Sequence, residues 1–509
     1  MTALEAVVEI GSTGIRLMAC EITGPGQWTV IDRSEVSVSL GWDVFTTGLV
    51  SRNTLLECLK VLSRFREQLA GWGIDSNHVQ VIATSAMREA KNRDSVLDRI
   101  LVKTGFKVKV IDGIEENRLM YIALLDSLHN DLPELKTENS VIIETGGGST
   151  ELMMLEHGKM AAVHSLRMGT VIVEQNMKSF LGSADDVHRY LSEYVHNTSE
   201  NLNTEISLSR IRQFVTIGPE ARTAALAIGK QVSLHAWTIE KDDFNRFVDE
   251  MQQYSEEERM ARFNCSYAEA RALGVGLLTY QLFLNQTSAQ QVIVSDTSIR
   301  EGVILSRISA PSDTLQQEFI SQIAASARNL GKRYHIDEPH AAYVEKVALH
   351  LFDDMRGELG LDGHSRLLLE IAAILHDIGN FIRGSDHQMH SQYIISNSDI
   401  FGLNKEDMKI VSLVSRYHRG STPKQADEAF HSLPRDERVT VLKLTALLRV
   451  ADALDRSHTQ KLTDFDTEIK EDKFILHIHG THDTNLEKAA LSEKGDLFEA
   501  VFGYSLLMV

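Results

Sequence analysis

The chain has 509 residues, 43% hydrophobic and 24% charged, with 7 prolines; at about 100–200 residues per domain this gives three or four domains with real cores, which excludes a lone small module and a disordered chain. A net charge of −19 excludes nucleic-acid binding driven by overall charge, because an acidic surface repels polyanions at long range. The 3 cysteines, Cys20, Cys58 and Cys265, form no CxxC pair, which argues against a disulfide scaffold, a cysteine zinc site and an iron–sulfur cluster. With no basic region leading into a long apolar run at the N-terminus, and no apolar segment of ~18 residues, the expectation is a cytoplasmic protein that does not meet a membrane.

In chain order, Ala6–Glu9 and Leu17–Ile22 predict strands joined by the turn Gly11-Ser12-Thr13-Gly14. Leu55, Cys58, Leu59, Leu62, Phe65 and Leu69 fall at helical spacing, with Ser51 as the cap and Gly71 and Gly73 as the stop. Strands follow at Val79–Ala83 and Val108–Ile111, with a helix near Arg93–Lys103 between them. Then Ser140–Ile143, Gly146-Gly147-Gly148 and Ser149–Leu155 repeat the opening device of strand, glycine turn and strand, so two hairpins begin two α/β halves. From about Ser312 strand signals vanish. Glu318–Gly331, His340–Leu359, Arg366–Ile378 and Val439–Leu454 predict helices of a separate domain. The tail from about Thr463 regains alternation at Phe474–His479 and Phe498–Leu507.

A glycine turn between strands lets backbone N–H groups approach phosphate oxygens. Each turn here follows an acidic residue near its strand end, Glu9 and Glu144. N–H donors beside a carboxylate suit a magnesium–phosphate complex, since Mg²⁺ takes few carboxylates and keeps waters. The chain has no GxxxxGK[ST] and no GxGxxG, which disfavours a P-loop or a Rossmann site.

Four segments in order, Glu9 to Leu17, Ala83 to Asn92, Gly113 to Leu119 and Ile143 to Leu152, resemble the exopolyphosphatase/guanosine pentaphosphate phosphatase (Ppx/GppA) family. The resemblance covers about residues 1–305, ending at Ser295-Asp296-Thr297-Ser298-Ile299-Arg300-Glu301-Gly302, and is weaker beyond. It implies two actin-like (ribonuclease H-like) α/β lobes around a cleft, at residues 1–125 and 126–310, then an all-helical HD-type domain at 311–462 and a small α/β appendage at 463–509. It also implies Mg²⁺-dependent removal of terminal phosphate from inorganic polyphosphate, guanosine pentaphosphate or both, and a homodimer.

By the same matching, Glu116 takes the place of the carboxylate that activates the attacking water, and Arg88 that of an arginine facing the phosphates. Ser12, Thr13, Gly146, Gly147, Gly148 and Ser149 match phosphate-cradle positions, while Arg167-Met168-Gly169 matches a segment whose role is packing. The family usually has aspartate at Glu9 and Glu144 and asparagine at Thr13. The longer side chain moves each charge by ~1.5 Å, which fits either a co-adjusted metal site or a weakened catalyst. Ile217-Gly218-Pro219-Glu220-Ala221 also departs from the family's hydroxyl-bearing turn.

In the helical region, His376-Asp377 with His340 upstream and Asp452 in Ala451-Asp452-Ala453-Leu454-Asp455 resembles the metal-ligand order of HD phosphohydrolases. His387, His390 and His418 stand where some such enzymes hold a second metal; the alternative is hydrogen bonding between helices. Three functions compete: a phosphoanhydride hydrolase in the cleft, a phosphate or nucleotide sensor with little turnover, and a helical-domain phosphohydrolase regulated by the lobes.

Overall fold

A computed structural model describes residues 3–24, 27–128, 133–179, 184–308, 314–423, 427–462, 464–479 and 483–509. The domain boundaries expected at 310/311 and 463 and the change of pattern at Ser312 lie outside the described residues. Two compact units result, Met1–Phe319 and Ile320–Val509. Among the described residues no helix is long and apolar enough to cross a membrane.

The first unit contains two sheets. Strands β1 (Ala3–Ile10), β2 (Gly14–Gly24), β3 (Gln27–Ser37), β4 (Val79–Ala83) and β5 (Val108–Val110) form the order β3-β2-β1-β4-β5. The second sheet uses β6 (Ser140–Thr145), β7 (Thr150–Glu156), β8 (Lys159–Leu166), β9 (Gln213–Ile217), β10 (Lys230–Gln231), β11 (Ala236–Glu240) and β12 (Gln291–Ser295), ordered β10-β11-β12-β9-β6-β7-β8. Each begins with an antiparallel three-strand meander whose first strand pairs in parallel with a later one, β1 with β4 and β6 with β9. The same topology therefore occurs twice. The meanders extend the expected hairpins by one strand each. β3 alternates exposed and half-buried along its length, as suits a sheet edge.

Ser51 caps the helix Arg52–Gly71 by accepting the Thr54 N–H at 3.2 Å, and Cys58, Leu62, Phe65 and Leu69 are buried against the first sheet's core. The helix Tyr267–Asn285 opens with a capping box between Ser266 and Glu269 and is buried nearly all round, which places it inside the second lobe. The helices Gly113–Leu128 and Ile299–Ile308 cross at Gly302, where an added Cβ would stand 1.9 Å from the Leu119 carbonyl oxygen. Because that obstacle is backbone, Gly302→Ala is expected to destabilise the chain by about 1–3 kcal/mol, read as a lowered midpoint in thermal unfolding.

The second unit packs the helices Glu338–Asp354, Gly363–Leu375, His387–Ser396, Lys405–Tyr417 and Arg435–Ala453. The predicted helix His340–Leu359 breaks at Met355, with a short helix Arg356–Leu359 beyond it. A three-stranded sheet, β13 (Phe465–Lys470), β14 (Lys473–Ile478) and β15 (Ser505–Met508), closes the unit in that order. The expected strand Phe498–Leu507 is corrected. Asp496–Phe502 is a helix that buries Leu497 and Phe498, Gly503 ends it at φ +78°, and only then does β15 begin.

Candidate active site

The two glycine turns close in the same way. The Gly11 N–H donates to the Gly14 carbonyl at 2.9 Å and the Gly146 N–H to the Ser149 carbonyl at 2.8 Å, each beside the last pair of its ladder, Ile10 with Ile15 and Thr145 with Thr150. The carbonyls of Ser12, Thr13, Gly146 and Gly147 accept from Gly41, Val38, Thr170 and Val171. By contrast, the N–H groups of Ser12, Thr13, Gly147 and Gly148 have no acceptor among the described residues. Donors without acceptors on two facing turns form an anion-binding concavity.

A cleft of about 220 Å³ runs between the lobes and takes its walls from both turns. Ser12, Thr13, Gly146, Gly147, Ser149, Glu9, Glu116 and Glu144 all line it, whereas Arg88 and Gly148 do not. A Cβ on Gly148 would meet Phe45 and Ser85 at 2.5 Å, and one on Gly169 would meet Gly147 backbone at 2.4 Å, so these glycines permit close packing behind the second turn. Ser12 and Ser85 share a hydroxyl contact of 3.0 Å.

Strand register explains the rest of the cleft. Glu9 lies opposite Arg16 and, at the equivalent place in the second lobe, Glu144 lies opposite Glu151. Both oxygens of Glu9 are engaged, one by Arg16 at 3.1 Å and the other by Arg300 at 2.8 Å. Burial opposes the Glu9 charge, but the two guanidinium groups outweigh it and hold the carboxyl below its ordinary range. Glu9, expected to bind metal, is therefore the centre of an arginine clamp, and two guanidinium groups leave little negative charge for a cation.

Glu144 differs. It has no hydrogen bond or ion pair among the described residues, and burial, with Glu9 and Glu116 nearby, pushes it up to about 8. Burial and Glu116 likewise push Glu151 up to about 8, although Asn117 donates to it at 2.9 Å and Ser165 at 2.7 Å.

Glu116 sits in the first turn of the helix Gly113–Leu128, which starts where Asp112 accepts the Glu115 N–H at 2.9 Å. Its carboxylate accepts from Arg88 at 2.6 Å, and the same Arg88 nitrogen donates to the Ile111 carbonyl at 2.6 Å. Burial raises Glu116 to about 7, with Glu9 and Asp112 adding to the rise and Arg88 opposing it. Arg88, expected to face phosphate, instead holds this carboxylate.

Sequence reasoning passed over Arg16, Arg300, Glu151, Glu220 and Tyr280. The Glu220 carboxyl lines the cleft, has one oxygen without a partner, and is raised to about 7 by burial. Tyr280 donates to the Ile217 carbonyl at 2.8 Å and accepts the Thr145 N–H at 3.0 Å, tying the Gly218 turn to the second hairpin. Cross-strand register was the signal available for Arg16 and Glu151. Tyr280 is reached only through tertiary packing.

The second unit holds another cluster. His340, His376 and Asp452 converge, as do His376, Asp377 and His418. The Nε2 atoms of His340 and His376 are 3.3 Å apart, and those of His387 and His418 are also 3.3 Å apart. Lys494 contacts Asp452. Of the three histidines expected at a second metal, only His418 is in a converging group among the described residues; His387 lies beside it, its Nε2 2.9 Å from Asp377, and His390 is in no such group.

Two lobes of repeated topology enclose a cleft lined by turn N–H groups that have no acceptor among the described residues, by glutamates and by arginines, a two-lobed α/β fold whose cleft suits an anionic ligand. The chain belongs to the Ppx/GppA phosphatase family, whose model matches residues 22–310, and the model of that family's domain III matches residues 324–498. Over 94% of this chain and 92% of the relative, it is 23% identical to a guanosine-5'-triphosphate,3'-diphosphate pyrophosphatase of Photobacterium profundum. Among solved structures it is similar to an exopolyphosphatase of Cytophaga hutchinsonii, at 20% identity and a TM-score of 0.54, covering 60% of this chain and 98% of that one. The Ppx/GppA family member of Aquifex aeolicus matches over the same shares at 24% identity and a TM-score of 0.50. At these identities the likeness carries the fold.

Proposed function

We propose that the cleft hydrolyses the terminal phosphoanhydride bond of a guanosine polyphosphate with the help of Mg²⁺. The observation that carries this reading is the meeting of Glu116 with both glycine turns in one cleft. The free N–H groups of the turns bind oxygens of the terminal phosphoryl group. Arg16 and Arg300, aligned by Glu9, add charge. Water attacks phosphorus, the anhydride P–O bond breaks, and Glu116 takes the water's proton; Arg88 positions Glu116 for this.

Among the described residues the cleft is lined by seven glutamates and three arginines, so a phosphate chain needs further positive charge there. Glu144, which has no partner among the described residues, and Glu151 would hold Mg²⁺, which supplies charge neutralisation at the phosphate oxygens. Phe263, Cys265, Ala268, Ala272 and Leu273 form an apolar stretch of the wall. A base can rest on that surface, while an all-phosphate chain gains nothing from it. In the second unit, His340, His376, Asp377 and Asp452 would hold one divalent cation.

The deciding experiment compares phosphate release from guanosine pentaphosphate and from inorganic polyphosphate, with Glu116→Gln as control. Turnover of the nucleotide at higher kcat/KM is the expected result. Turnover unchanged in the variant would overturn the role of the cleft.

A further inference from the structure

We propose that Glu220 and Arg222 read the ribose of the substrate, Glu220 accepting its 2′-hydroxyl and Arg222 binding a phosphate carried on its 3′-oxygen. This rests on the reading above that the cleft takes a guanosine polyphosphate, and names the residues that tell such a nucleotide from one without the 3′ arm.

The placement follows from strand order. β6, β9 and β12 run parallel, with Ile217 at the end of β9 opposite Glu144 on one side and Ser295 on the other. Ligands of such sheets gather at the loops beyond the carboxyl ends of the strands. The loop after β6 is the second glycine turn, which the reading above gives to the terminal phosphoryl group. The next loop, about 4.8 Å along the sheet, starts at Gly218 with φ +118° and opens the helix Pro219–Ile228, whose first residues include Glu220 and Arg222. Against Glu220 packs the helix Tyr267–Asn285, where a Cβ at Gly276 would stand 2.8 Å from the Glu220 Cγ, so this glycine makes room for the side chain. Leu273 of the apolar wall is three residues before Gly276, hence one turn away on the same face. The surface that suits a base is therefore one helical turn from Glu220, where the sugar of the same nucleoside belongs.

Both residues line the cleft, and neither has a charged partner among the described residues. Glu220 makes no hydrogen bond or ion pair with another described residue, and its Oε2 is shut away from solvent. Of the three arginines that line the cleft, Arg16 is paired with Glu9 and Glu35, and Arg300 with Glu9. Arg222 differs. Its Nη2 donates to the Asp296 carbonyl at 3.0 Å, its Nε is buried without an acceptor, and the Asp296 carboxylate is engaged by His235 at 2.9 Å. Two residues apart on a helix, Glu220 and Arg222 point in different directions and do not neutralise each other. A buried charge without its counter-charge is unfavourable, and a ligand that brings both missing groups relieves both residues. Such a ligand presents a hydroxyl donor beside a phosphate. A ribose with a free 2′-hydroxyl and a phosphate on the neighbouring 3′-oxygen does so, and the planar guanidinium can take two oxygens of that phosphate. A continuous phosphate chain does not, because the Glu220 carboxylate repels it.

The test uses the full chain with Mg²⁺ at pH 8, where Glu220, raised to about 7, is ionised. Calorimetric titration compares GDP with guanosine 5′-diphosphate 3′-diphosphate, which differ only in the 3′ arm. The wild type is expected to prefer the second by about 10–100-fold, the worth of hydrogen bonds between charged groups, and Arg222→Met to bring that ratio close to one. Arg222→Lys, which keeps the charge without the fork, should recover only part of it. The second comparison sets GDP against its 2′-deoxy analogue. A wild-type preference of about 10-fold for GDP is expected, lost in Glu220→Ala and largely kept in Glu220→Gln, which retains an acceptor. Arg222→Met should melt no lower than the wild type, since it removes an unpaired charge. Equal wild-type affinity within either pair would overturn the residue assigned to it and leave the nucleotide reading standing. A ratio unchanged by the substitution, or a loss shared equally by both ligands, would do the same. A wild type that binds no nucleotide while releasing phosphate from polyphosphate would overturn the nucleotide reading itself.

Discussion

Glu116→Gln is expected to lower phosphate release by about 10²–10⁴-fold, the usual worth of a positioned general base, with the fold intact. Glutamine has nearly the same shape and can still accept from Arg88, so thermal unfolding and circular dichroism should change little while turnover collapses. The pH profile separates this role from a packing role. Burial raises Glu116 to about 7, so its base form predominates only above that value. Wild-type kcat/KM should therefore rise through about pH 7 and level off, and the residual activity of the variant should lack that limb. A variant that keeps the same pH dependence at full rate would remove Glu116 from the chemistry.

The second large effect concerns Glu144 and Glu151. Both are raised to about 8, while Glu116 and Glu220 are raised to about 7, each chiefly by burial. A carboxyl whose folded value exceeds its unfolded value binds protons more tightly in the folded chain. Its effect is therefore to lower stability as pH rises from about 5 to 8. The metal-free protein should lose thermal stability across that window, and Mg²⁺ should restore it by neutralising the carboxylates. Glu144→Gln removes one buried charge, so at pH 8 the metal-free variant should melt higher than the wild type. The Mg²⁺ concentration needed for half-maximal activity should rise by a factor on the order of 10–100. A variant that melts lower, with unchanged Mg²⁺ dependence, would show Glu144 to be a packing residue.

The two glycine hairpins and the Ser51-capped helix were legible because local rules dictate them, turn chemistry and cap chemistry, while the histidine–aspartate order was legible only through its resemblance to a known ligand order. Arg16 and Glu151 lay inside the segments that carried the family resemblance. Their importance needed the ladder register that sets Glu9 against an arginine in one lobe and Glu144 against a second glutamate in the other. Asp455 was likewise in view beside Asp452, but only the fold brings it to the ring of His340. The tail was misread at Phe498 because a short apolar run fits a strand and a buried helix equally well.

The sequence by itself determined the paired α/β halves and the helical second unit, since each depends on periodicity and turns over a few neighbouring residues, while the family resemblance supplied part of the set of residues that line the cleft. Tertiary structure alone decided which carboxylates are neutralised by arginine, that Arg88 grips Glu116, and that His340, His376, His387 and His418 gather around Asp377 and Asp452. Those outcomes depend on charges brought together from segments far apart in the chain, where burial magnifies every pairing and every omission.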